Sequence, residues 1–133
     1  MRLVCNANVL FAAILKDSAT RRILTSPRVE LHAPDLLRIE HKKFQNLLRT
    51  KTTASHEDVK AIADLLLRII TIHEPSIDNL REAKKFSPDI DDAAYLALCL
   101  DLNLPLWSND RRLKNQKRVC ILTTKEIMQE YEK

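Results

Sequence analysis

Residues 89–113, DIDDAAYLALCLDLNLPLWSNDRRL, decide how this chain is read. Positions 93–100 are apolar on every face, which predicts a helix buried all round rather than one lying on a surface. Asp89, Asp91 and Asp92 crowd its start. Asn103 stands where a helix ends in the left-handed conformation, a place usually taken by glycine. Leu104 and Pro105 then impose an extended approach to a strand, LPLWSND (104–110), that closes on Ser108, Asn109 and Asp110.

Working outward, short apolar runs alternate with longer helical patterns. Arg2 to Cys5 reads as a strand, and Val9 to Leu15 and Ala19 to Leu24 as helices. RVELHAP (28–34) is a second strand, stopped by its proline. From Asp35 to Leu48, Leu36, Leu37, Ile39, Phe44, Leu47 and Leu48 recur at helical spacing. Ser55, with Asp58 three residues on, resembles a capping box and opens a helix through AIADLLLRII (61–70). Ile69 to Ile72 is a short strand and Ile77 to Phe86 a helix. RVCIL (118–122) is the last strand, and a helix over 123–133 starts from a cap at Thr123 or Thr124. This alternation predicts one domain over residues 1–133, a three-layer α/β/α sandwich with a central, mainly parallel sheet.

Composition removes several functions. Among 133 residues there is no glycine, where average usage of ~7% would place about nine. A P-loop, a GxGxxG dinucleotide site and a GxSxG elbow all need glycine, so Walker-type hydrolysis and Rossmann redox chemistry are excluded. No apolar run approaches the ~18 residues needed to cross a bilayer, and the start lacks the regions of a secretory signal. A cytoplasmic protein with no membrane partner is expected. Cys5, Cys99 and Cys120, odd in number and without CxxC spacing, are expected as reduced core residues. His32, His41, His56 and His73 have no zinc-ligand spacing and are expected at the surface or behind other site residues. Trp107 is expected to pack in the sheet. The net charge of +4 suits either a polyanionic partner or a solvated basic surface.

The first strand runs out in Asn6 and Asn8, within LVCNANVLF (3–11). The carboxyl ends of parallel strands are where α/β sheets bind ligands. Asp110 ends another strand, Asp89, Asp91 and Asp92 open the buried helix, and Glu40 lies between Ile39 and His41 on a third element. Each has a local explanation. Asp89 suits an N-cap, Asp91 and Asp92 suit a first helical turn, Asp110 suits the turn NDRRL, and Glu40 suits a surface pair with Lys43. Together they suggest more. Carboxylates gathered at one sheet edge repel one another, and Mg²⁺ or Mn²⁺ relieves that repulsion while orienting water for attack on a phosphodiester. Arg111, Arg112, Lys114, Lys117 and Arg118 follow Asp110 directly and suit phosphate contacts; Lys42, Lys43, Arg49 and Lys51 suit a second wall.

Three blocks resemble the signature blocks of PIN domains, the family that includes VapC-type toxins. They are VCNANVLFAAIL (4–15), HAPDLLRIEHKKFQNLL (32–48) and the segment quoted first (89–113). The resemblance implies an α/β/α nuclease whose acidic pocket holds one or two Mg²⁺ or Mn²⁺ ions and cleaves RNA. It also implies a homodimer and, for a toxin, a small antitoxin that occludes the pocket. Carried over residue by residue, Glu40, Asp92 and Asp110 match the second, third and fourth acidic positions, with Asp91 the alternative to Asp92. Asn8 matches a polar position and Ser108 a hydroxyl position. Asn6 stands where the family places an Asp. Three accounts of Asn6 stay open: a weakened nuclease, a lapsed nuclease that binds RNA or a partner without cutting, or a change made to tame a toxic enzyme.

Overall fold

The computed structural model describes residues 1–15, 18–48 and 56–131. Five strands, β1 (Arg2–Cys5), β2 (Glu30–Pro34), β3 (Ile70–His73), β4 (Leu106–Trp107) and β5 (Ile121–Leu122), form an all-parallel sheet in the order β3-β2-β1-β4-β5. Among the described residues the helices are α1 (Ala7–Leu15), α2 (Ser18–Leu24), α3 (Leu36–Leu48), α4 (His56–Arg68), α5 (Ile77–Phe86), α6 (Ala93–Leu102) and α7 (Thr124–Tyr131). Val4 of β1 pairs with His32 of β2 on one side and Leu106 of β4 on the other.

The strand order fixes where a ligand can sit. From β1 to β2 to β3 the chain steps one way; after β3 it crosses back and adds β4 and β5 on the other side of β1. Right-handed crossovers put the helices of the first two connections on one face and those of the third on the opposite face. Accordingly α1 packs with α2, α3 and α4, while α5 and α6 pack together and α6 covers β1, β2 and β4. The direction of winding reverses between β1 and β4, which opens a crevice beyond their carboxyl ends.

The core is Leu3, Val4, Cys5, Leu31, Ala33, Leu106 and Trp107 in the sheet, roofed by Tyr95 to Cys99 of α6, all buried. The all-apolar helix is thus interior, as its pattern predicts. It ends at Asn103, whose φ of 54° and ψ of 50° are left-handed. A β-carbon costs about 1–2 kcal/mol there unless the residue is Asn, Asp or Gly. Asn103→Ala is therefore expected to lose about 1 kcal/mol of stability, and Asn103→Gly none, in equilibrium denaturation.

Several elements differ from expectation for identifiable reasons. The strand expected over 104–110 is only Leu106–Trp107, because the Ser108 hydroxyl accepts the Asp110 N–H (3.1 Å) and turns the chain. The strand expected over 118–122 is only Ile121–Leu122, because the Gln116 side-chain carbonyl captures the N–H groups of Arg118 (3.0 Å) and Val119 (2.9 Å). Asp89 caps a short 3₁₀ turn, Ile90–Asp92, rather than α6 itself. Thr123 caps α7 in a reciprocal box with Glu126. The Ser55 cap lies outside the described residues, as do Lys16, Asp17, Arg49 and Lys51. Cys5 and Cys99 are buried as expected, but Cys120 is exposed, lying just before β5 begins. His32 and His41 are buried rather than at the surface. His32 is satisfied between Glu30 (2.8 Å) and His73 (2.8 Å), which is how an inward-facing imidazole is tolerated. Among the described residues, no helix is long and apolar enough to cross a membrane.

Candidate active site

Asn6 and Asp110 flank the crevice. The Asn6 N–H donates to the Trp107 carbonyl (3.1 Å), tying the end of β1 to the end of β4. The side-chain oxygen of Asn6 accepts the Asn8 N–H (3.0 Å), and its carbonyl accepts the Val9 N–H (3.1 Å). Asn6 is therefore the cap that starts α1, and Asp performs that task equally well. The amide is 6% exposed and carries no charge.

Glu40 enters from α3. One of its carboxylate oxygens accepts the Tyr95 hydroxyl proton (3.0 Å). Tyr95 thus joins α6 to α3 through one hydroxyl. Burial pushes the Glu40 carboxyl above its ordinary range, helped by Asp91 and Asp92, while the Tyr95 bond and Lys43 oppose the shift.

Asp92 stands at the centre of the group. Burial raises its carboxyl too, and then Asp110, Asp89 and Asp91 add to the shift. It feels Asp110 on one side and is felt by Glu40 on the other. Asp92 is half-buried and makes no capping bond to α6. Asp91 is exposed and lines a groove of about 680 Å³ with Asn8, Phe11, Leu36, Ile39, Glu40, Lys43 and Phe44. The Phe11 and Phe44 rings stack there at 3.8 Å.

Asp110 is arranged differently. Ser108, buried at 2% exposure, holds its N–H, and the Asp110 carboxylate caps the 3₁₀ turn Arg111–Asn115 by accepting the Arg112 N–H (3.0 Å). The Arg112 guanidinium also binds both Asp110 oxygens and keeps this carboxyl below the usual range.

Glu40, Asp91, Asp92 and Asp110 are therefore drawn into one electrostatic group at the crevice, with Asn6 held beside it through Trp107. They are not drawn onto one point. Among the described residues, no three His, Cys, Asp or Glu side chains stand close enough together to hold an ion as placed. Tyr95 and Arg112 turn Glu40 and Asp110 to local partners instead. The donor set nevertheless fits a hard divalent cation: every donor is oxygen, and burial together with neighbouring carboxylates raises both Glu40 and Asp92, a cost that such a cation relieves.

The basic residues are less concentrated than their sequence order implies. Arg111 is exposed and, among the described residues, makes no ion pair. Lys114 pairs with Glu126 of α7. Arg118 is drawn away to α5, where it pairs with Glu82 (2.9 Å) and lies over Phe86. Lys42 and Lys43 are exposed on α3. Tyr95 is the site residue that pattern reading misses. Its signal was a phenol in an otherwise apolar, buried helix, where the hydroxyl must find a partner.

A family model described as "PIN domain" matches residues 4–132. No curated protein matches the chain. Among solved structures, PAE2754 from Pyrobaculum aerophilum aligns with a TM-score of 0.76 at 15% identity, covering 99% of this chain and 90% of that one. VapBC2 from Rickettsia felis, solved bound to a DNA fragment from their promoter, aligns with a TM-score of 0.68 at 16% identity, covering 92% of this chain and 98% of that one.

Proposed function

The chain belongs to the PIN-domain family, and from that premise we propose that it is a divalent-metal-dependent endoribonuclease, the toxin of a toxin–antitoxin pair. The observation that carries this reading is the placing of three carboxylates around the sheet's switch point: Glu40 bonded to Tyr95 of α6, Asp92 at the start of α6 beside both neighbours, and Asp110 just after β4. These three would hold one or two Mg²⁺ or Mn²⁺ ions, with Asn6 as a neutral fourth donor and Asp91, Asn8 and Ser108 in support. When bound, the metal withdraws charge from the phosphate and lowers the pKa of a water for in-line attack.

The chain's own residues do the rest. Tyr95 positions the Glu40 oxygen, and Ser108 fixes the turn that presents Asp110. Arg111 and Lys43 are exposed at the rim for phosphate contacts, which supply affinity without sequence preference. Arg112 and Lys114 reach RNA only by leaving Asp110 and Glu126. A small antitoxin occludes the pocket from the apolar groove beside Glu40, and the toxin acts as a homodimer. The Rickettsia felis neighbour is a complex of the VapBC kind, which supports the antitoxin.

A single-stranded RNA incubated with Mn²⁺ is expected to be cut, and EDTA is expected to abolish cutting. Cleavage that persists in EDTA overturns the metal-dependent reading. A second reading, a lapsed PIN fold that binds RNA or a protein without cutting, is favoured by the neutral Asn6 amide. RNA binding without cleavage in Mn²⁺ selects it.

A further inference from the structure

Asp110 needs only the Arg112 backbone N–H to cap its turn, yet the Arg112 side chain adds two bonds. Nε lies 3.2 Å from one carboxylate oxygen and a terminal nitrogen 2.8 Å from the other. The guanidinium also stands in the field of Asp89 and Asp92. Among the described residues it is the cation bonded directly to a member of the acidic group, Lys43 acting on Glu40 through its field alone.

We propose that Arg112 is the resident counter-cation of this pocket and competes with the divalent metal for Asp110. This rests on the metal-dependent reading above. Both Asp110 oxygens engage the guanidinium, so the metal gains them only when the pair opens. Opening is cheap. The Arg112 side chain is 65% exposed, and an exposed ion pair contributes little net stability. The attraction of a carboxylate for a nearby divalent charge is several times larger at an effective dielectric of about 20. The competition is felt because Asn6 has already removed one charge from the side that attracts metal. Arg112 thus sets the metal concentration at which the site fills, and metal filling frees a guanidinium beside the reacting phosphate.

The test is calorimetric titration of Mn²⁺ into the wild type, Arg112→Ala and Lys117→Ala. Lys117→Ala removes the same charge from the same exposed segment without touching Asp110. Arg112→Ala is expected to bind Mn²⁺ about threefold to fivefold more tightly, with Lys117→Ala unchanged. Equal affinity in wild type and Arg112→Ala, or an equal gain in Lys117→Ala, overturns the competition and leaves the metal reading standing. No Mn²⁺ binding by any of the three overturns both. Thermal unfolding of each variant without metal verifies that it is folded.

Discussion

Asn6→Asp is expected to raise the rate of RNA cleavage in Mn²⁺ by about 100-fold or more over the wild type. One unit charge about 4 Å from another contributes about 4 kcal/mol at an effective dielectric near 20. Less than that, about 2.7 kcal/mol retained in the transition state, gives two factors of ten. The substitution is geometrically mild. Asp accepts the Asn8 N–H as Asn does, so α1 keeps its cap, and the helix start favours the added negative charge. The metal-free protein bears the cost, because a fourth carboxylate enters a buried position next to a group whose members already repel. The variant should therefore unfold at a lower temperature without metal and gain more from Mn²⁺ than the wild type gains. Single-turnover kinetics on one RNA measure the first effect and metal-dependent unfolding the second. A folded Asn6→Asp protein that cuts no faster contradicts the assignment of Asn6 as the weak position.

Asp92→Asn is expected to lower cleavage by about 100-fold or more while making the metal-free fold more stable at neutral pH. The folded chain holds the Asp92 proton more tightly than the unfolded chain does, since burial and Asp110 raise its carboxyl above the unfolded value. Stability from that proton is complete below the unfolded pKa and is lost as pH rises through the raised folded value. Above both values the folded protein carries a charge in poor surroundings. Asparagine removes that charge and keeps the size. The unfolding temperature should rise by a few degrees near pH 7, with the difference from wild type vanishing near pH 3, below the ordinary carboxylate range of about 3.9. Solvent reaching the half-exposed side chain keeps the gain modest. Stabilisation and inactivation in one substitution distinguish a metal ligand from a structural cap. An active Asp92→Asn protein, or one destabilised at pH 7, contradicts the role.

Much of this was legible along the chain because the signals were local. Eight apolar positions in a row announced the buried α6, and Asn103 announced its left-handed end. The bounds of α5 fall where its periodicity starts and stops. Three motif blocks carried the family resemblance, and the family model spans residues 4–132. Strand lengths were not legible, because a side-chain amide at Gln116 and a hydroxyl at Ser108 compete with the sheet for backbone hydrogen bonds. The partnership of Glu40 with Tyr95 was hidden for another reason. The two are 55 residues apart, and only the packing of α6 across the sheet brings them together. The basic residues that follow Asp110 in order suit either phosphate contacts or a solvated loop. Their nearest acids lie on α5, α7 and Asp110 itself, so Arg118, Lys114 and Arg112 go to three places.

The proposed nuclease requires that Glu40, Asp92 and Asp110 form one cation site once Tyr95 and Arg112 release Glu40 and Asp110. Titration of Mn²⁺ into the wild-type protein, with free ion counted by electron paramagnetic resonance, tests it most directly. Saturable binding of one or two ions per chain is expected, lost in the double variant Glu40→Gln, Asp92→Asn. Binding of equal stoichiometry and affinity in that double variant, or no saturable binding by the wild type, contradicts it.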